Sequence, residues 1–158
     1  MFNVLTLCAG NASRSILAEA ILNRDGAGRV QAWSAGPMPK GLVERPALDM
    51  LARRGVEIAG LRSKGWAEFL DPSAPRIDLV LSLCPTVADA VHPDWHGEPA
   101  EARWPIEDPA NAPAEHADLA FQRTYHQLSA RINAFLALPF EHLPRDTLVA
   151  SLTEIGQR

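Results

Sequence analysis

Two apolar runs constrain this chain more than any other feature. FNVLTLC (residues 2–8) and DLVLSLC (78–84) are short, nearly continuous in apolar side chains, and each ends in cysteine. Runs of this length and composition read as strands buried inside a sheet. Around them the period changes. Ile16, Leu17, Ala20 and Ile21 repeat at helical spacing before Gly26 and Gly28, and Ala47, Leu48 and Leu51 do the same between Pro46 and Gly55. Leu119, Phe121, Tyr125, Leu128, Ile132 and Phe135 continue in steps of three and four until Pro139. RVQAWS (29–34) and ARWPI (102–106) supply two more strand candidates, and RSKGWAEFL (62–70) a short helix. RDTLVASLTEIG (145–156) adds a last helix with Leu148, Leu152 and Ile155 in a stripe. Strands alternating with helices predict an α/β fold, a four-stranded parallel sheet flanked by helices on both faces, with an extra C-terminal helix.

Composition narrows the possible partners. The chain has 158 residues, 47% of them hydrophobic, which suffices for one core without disulfide or metal staples. Charged residues are 22% of the total and the net charge is -4, which argues against nucleic acid or an anionic membrane as partner. The first apolar run lacks a basic leader, and no later stretch has the length to span a bilayer. Cys8 and Cys84 are the only cysteines, too few for a disulfide scaffold, so a reducing, cytoplasmic setting is expected.

In parallel sheets, ligands sit beyond the carboxyl ends of strands. Cys8, Cys84 and the EDP segment (107–109) all follow strand candidates, so one end of the sheet could gather them. Between Cys8 and Arg14 lie Ala9, Gly10, Asn11, Ala12 and Ser13, all small enough to let the chain curl with its N–H groups inward. The helix beginning near Ser15 adds its positive end. This cradle, residues 9–15, suits a tetrahedral oxyanion, and Arg14 offers a planar fork for two of its oxygens. Cys8 at its base is then a nucleophile drawn toward the thiolate, with Ser15 in reach of the sulfur. Asp108, on a loop stiffened by Pro109, could protonate a leaving oxygen; Glu107 is the competing carboxylate.

CAGNASRS followed by ILAEA resembles the phosphate loop of the low-molecular-weight protein tyrosine phosphatases and their relatives, the arsenate reductases. The resemblance continues through SAG (34–36), DLVLSLC and WPIEDPA (104–110), covering most of residues 2–138. It implies a catalytic domain over 1–138, with 139–158 as a helical extension of the same domain. It also implies Cys8 as nucleophile, Arg14 as oxyanion clamp and Asp108 as general acid. Tyrosine phosphatases of this kind carry tyrosines after the DP pair, where this chain has Ala110 and Asn111. Arsenate reductases resembling it place a second redox cysteine where Cys84 stands. The implied activity is therefore arsenate reduction, with phosphate and sulfate as competing oxyanions and phosphomonoester hydrolysis as the alternative.

No cofactor is implied, only a thiol donor. Thioredoxin-coupled members have a third cysteine after the second; here Val91 and His92 occupy that stretch. Thioredoxin, or glutathione with glutaredoxin, therefore both stay open as electron source. The same members hold potassium with an acid and residues matching Asn11, Glu19 and Ser34. This chain has Lys64 near that acid's position, and its ammonium could stand in for the cation. Cys84, His92 and His96 lack a second ligand pair, so no metal site is assigned. Arg53–Arg54 reads as a helix C-terminal cap, and the four tryptophans as packing.

Overall fold

The computed structural model describes residues 1–158. Its elements run β1 (Phe2–Leu7), α1 (Arg14–Asp25), β2 (Val30–Ala35), α2 (Arg45–Arg53), β3 (Leu79–Ser82), α3 (Pro85–Ala88), β4 (Ala100–Arg103), α4 (Ala117–Leu136) and α5 (Arg145–Ile155). The four strands form one parallel sheet in the order β2-β1-β3-β4, with Leu7 opposite Ala35 on one side and Ser82 on the other. From β1 the chain moves to one edge, and from β3 it moves to the other. The switch point therefore lies between β1 and β3, where an open parallel sheet leaves its binding crevice.

Period-two alternation divides the core. Val4, Val30, Ala32, Leu79, Leu81, Ala100 and Ala102 join a cluster of 28 buried residues that includes the inner faces of α1, α2, α4 and α5. Leu5, Leu7 and Val80 point the other way, into a cluster of 10 with Cys8, Cys84, Phe69, Ile77, Val87 and Trp95. The two faces are covered unequally. The long helices gather on the first, whereas the second is closed by a 3-10 turn (Trp66–Leu70), by α3 and by Trp95. Pro72, Pro75, Pro85, Pro93 and Pro99 interrupt the connections on that side, so no long helix can form there.

Two boundaries differ from expectation for a physical reason. The fourth strand, expected over 102–106, spans Ala100–Arg103. Pro105 cannot donate to a ladder, so the chain leaves the strand at Trp104, although Trp104 N and Ile106 N still bond Ser82 O (2.8 Å) and Leu83 O (3.1 Å). The stretch after Cys84, for which the sequence pattern predicts no helix, contains the four-residue α3, too short to show a period. The chain after Pro139 packs through Leu148, Leu152 and Ile155 into the 28-residue cluster. A Cβ on Gly156 would stand 2.6 Å from Arg103 O, so the end of α5 lies directly on β4.

Candidate active site

The segment after β1 curls because its neighbours take its carbonyls. Ala9 O accepts from Met38 N (3.0 Å), Gly10 O from Lys40 N (2.9 Å) and Ser63 Oγ (3.2 Å), and Ala12 O from Glu44 N (2.9 Å). With the carbonyls held outward, the amides turn the other way. From Ala9 to Ile16 no main-chain N–H donates to any group of the protein. Eight consecutive free donors above a buried strand end make a cradle for an oxyanion. Gly36 makes this packing possible, since a Cβ there would lie 2.3 Å from Cys8 O and 2.6 Å from Ala9 O.

Asn11 is the pivot of the curl. Its φ of 42° is left-handed, a conformation asparagine tolerates better than most residues. Its side chain accepts from Lys64 N (2.8 Å) and donates to Ser15 Oγ (2.8 Å). Ser15 Oγ, with that lone pair occupied, stands 2.9 Å from Cys8 Sγ and can turn its proton to the sulfur. The donor chain from Asn11 through Ser15 thus ends on Cys8, which is 2% exposed.

Arg14 and Asp108 close the cradle from above. Arg14 Nη1 donates to Ile106 O (3.2 Å), and Nη2 lies 3.5 Å from Asp108 Oδ2. Asp108 Oδ1 accepts from Ser13 Oγ (3.0 Å) and Ala110 N (3.0 Å). Arg14 Nε is buried without a partner, a donor an incoming oxyanion could satisfy. A cavity of about 420 Å³ opens between Arg14, the 105–108 segment, Asn111 and Pro85, the residue next to Cys84. Glu107 lines it too, but unlike Asp108 makes no bond to the loop.

Cys84 lies beside this site. Leu83 N donates to Leu7 O (2.9 Å), continuing the β1–β3 pairing, so the two cysteines leave adjacent strand ends. Such strands are about 4.8 Å apart. Cys8 and Cys84 share the 10-residue apolar cluster, both as free thiols. His92 and His96 do not join them. The His92 ring meets Glu101 (2.6 Å) and Val87 O (2.7 Å), and His96 meets Ala74 O (3.1 Å).

Glu19, Ser34 and Lys64 meet beneath the loop. Ser34 Oγ donates to Glu19 Oε1 (2.6 Å), and Lys64 Nζ lies 3.7 Å from the same oxygen while donating to Arg62 O (2.9 Å). Burial pushes the Glu19 carboxyl above its ordinary range and the Lys64 ammonium below its own; each opposes the other's shift through their mutual attraction. Asn11 reaches this group through the Lys64 amide.

The match to the family model described as low molecular weight phosphotyrosine protein phosphatase runs over residues 3–148. A glutaredoxin arsenate reductase of Synechocystis sp. is 28% identical over 137 residues, spanning 87% of this chain and 98% of its own length. The structure of an arsenate reductase in a phosphate-binding state superposes with TM-score 0.69 at 27% identity, covering 87% of this chain and 98% of that one. The arsenate reductase of Archaeoglobus fulgidus gives TM-score 0.63 at 26% identity over 82% of this chain and 98% of its own. With the family model matching residues 3–148, and a curled amide loop with its cysteine and arginine following the first strand, the protein belongs to the low-molecular-weight phosphotyrosine protein phosphatase family.

Proposed function

We propose that the protein is an arsenate reductase of this family, working with an external thiol in the reducing cytoplasm. The observation that carries the reading is Cys84, a second free thiol in the same buried cluster as Cys8 at the adjoining strand end. A hydrolase of this fold needs one cysteine; a two-electron reduction is served by two. The arsenate reductases among the relatives support it, and so do Ala110 and Asn111 where an aromatic wall would otherwise flank the acid.

In this reading arsenate lies in the amide cradle with Arg14 on two of its oxygens. The Cys8 thiolate attacks arsenic, an As–O bond breaks, and Asp108 gives its proton to the departing oxygen, which leaves as water. Cys84, deprotonated, then attacks Cys8 Sγ. The S–As bond breaks with its electron pair moving to arsenic, arsenite leaves, and a Cys8–Cys84 disulfide remains. A thiol donor reduces that disulfide. In the variant route the donor, glutathione followed by glutaredoxin, attacks the arseno-cysteine itself. With no third cysteine, a thioredoxin would have to meet the Cys8–Cys84 bond directly.

The test is single-turnover arsenite release from pre-reduced protein without added thiol. Stoichiometric arsenite in the wild type, lost in Cys84→Ser, supports the two-cysteine cycle. Arsenite only on addition of glutathione, in both proteins alike, assigns Cys84 to packing. Hydrolysis of a phosphotyrosine peptide without arsenite under either condition returns the protein to its phosphatase relatives.

A further inference from the structure

The loop that carries Asp108 is held from beneath by a buried arginine. Arg131, on α4, is 5% exposed. Its Nη1 donates to Pro105 O (3.1 Å) and its Nη2 to Arg158 O (3.3 Å), while Nε is buried without a partner. Burial pushes the guanidinium below its usual range. Leu128 and Phe135 flank it at helical spacing on the buried stripe, where an aliphatic side chain would be the ordinary occupant. A charge kept in such a place at a cost in desolvation is there for what it bonds.

What it bonds is the weak point of the loop. Trp104 and Ile106 are tied to β3 through their amides, but Pro105 has none, so its carbonyl is the only main-chain group left to hold. The next carbonyl, Ile106 O, carries Arg14 Nη1, and Asp108 follows two residues later. From the other side α5 fixes the same segment. Trp104 Nε1 donates to Leu152 O (2.9 Å), and a Cβ on Gly156 would press within 2.8 Å of Trp104 Cδ1.

We propose that Arg131 is a positioning residue for Asp108, holding the 104–108 segment, together with α5, where the acid can meet a bound oxyanion. The inference rests on the reading of Asp108 as proton donor. Arg131 itself transfers nothing: the proton passes from Asp108 to the departing oxygen, and Arg131 fixes where that happens.

The experiment is a double-mutant cycle between Arg131→Met and Asp108→Asn, read as the single-turnover rate of arsenate consumption and as phosphate affinity. Arg131→Met should slow the chemical step about tenfold while phosphate affinity changes less than about threefold. Arg131→Lys should recover most of the rate, and Arg131→Met should cost nothing further once Asp108 is Asn. Gly156→Ala, which presses on Arg103 O and Trp104 and keeps the Arg131 charge, should act in the same direction and be equally silent in Asp108→Asn. If Arg131→Met does not fold, Arg131→Gln takes its place in the cycle beside Gly156→Ala. An equal loss in both backgrounds, or weaker phosphate binding that accounts for the slower rate, would make Arg131 ordinary support and overturn the proposal. If Asp108→Asn alone leaves the rate intact, the acid assignment fails instead.

Discussion

Substituting Gly36 tests the cradle at its tightest contact. Two carbonyls of the phosphate loop lie within 2.6 Å of any Cβ there, and both are backbone atoms that cannot swing aside. Gly36→Ala should destabilise the fold by about 2–3 kcal/mol and, in the fraction that folds, weaken phosphate binding through a displaced Cys8–Ala9 peptide. Urea unfolding with phosphate titration checks both. The loop itself was legible, because small residues between a cysteine and an arginine have few other uses. The grouping of Lys64 with Asn11, Glu19 and Ser34 came from the family resemblance and from no pattern in the chain itself. The burial of Lys64 depends on Glu19 and Ser34, both distant in sequence, which no local pattern reports. Its folded state carries a pH signature. Glu19, raised by burial, takes stability away as pH climbs through the interval above the ordinary glutamate range. Lys64, lowered by burial, gives stability back only as pH approaches the ordinary lysine range. Lys64→Met removes the partner that helps Glu19 ionise. It should therefore cost about 3 kcal/mol at pH 8 and much less at pH 5, with Glu19→Gln in the same chain recovering part of the loss. A cost equal at both pH values would show that the pair is not what Lys64 contributes.

Among the elements, α1 and α4 were readable from their period and the cores of β1 and β3 from their unbroken apolar runs, because each is buried along its length. The fourth strand slipped toward the N-terminus because Pro105 vetoes the register that apolar character suggested. Arg131 did leave a signal, a charged residue at helical spacing between Leu128 and Phe135, but its meaning required the Pro105 carbonyl. The junction of α4 and α5 has a similar device on the surface. Arg29, before β2, donates to Leu136 O (2.8 Å) and Leu138 O (3.3 Å), pairs with Glu141 (2.8 Å) and lies 4.4 Å over the Phe140 ring. It satisfies carbonyls that the end of α4 leaves open. The Arg29 hydrogen bonds hold the Glu141 carboxyl down at about 2. This depressed group supports the fold above the ordinary glutamate range, and the support is lost as pH falls through about 2. Arg29→Ala should return the Glu141 titration, followed by carboxyl chemical shifts, to the ordinary glutamate range, and speed amide exchange over 136–143. An unmoved Glu141 titration would detach it from Arg29.

At the scale of the whole molecule, the unequal cover of the sheet is the property that matters for a two-cysteine cycle. One face is sealed by four helices and a 28-residue cluster; the other rests on α3, a 3-10 turn and the edge-to-face set of Trp66, His92 and Trp95, with ring centroids 5.7–6.0 Å apart. Cys84 opens the thinly covered segment, and Val91 within it is 93% exposed. Thin apolar cover and a single short helical turn predict that this segment opens at a fraction of the global unfolding free energy. That inequality is what a disulfide at the β1–β3 switch point requires, because Cys84 must approach Cys8 while the phosphate loop stays formed. Native-state hydrogen exchange should therefore rank amides of residues 86–98 well below those of β1, β3, α1 and α4, and oxidation to the Cys8–Cys84 disulfide should lower protection over 86–98 while leaving α1 unchanged. Protection over 86–98 equal to that of β1 would mean that Cys84 moves only when the whole domain unfolds, too rarely for it to resolve an arseno-cysteine, and the external-thiol route would then carry the reaction.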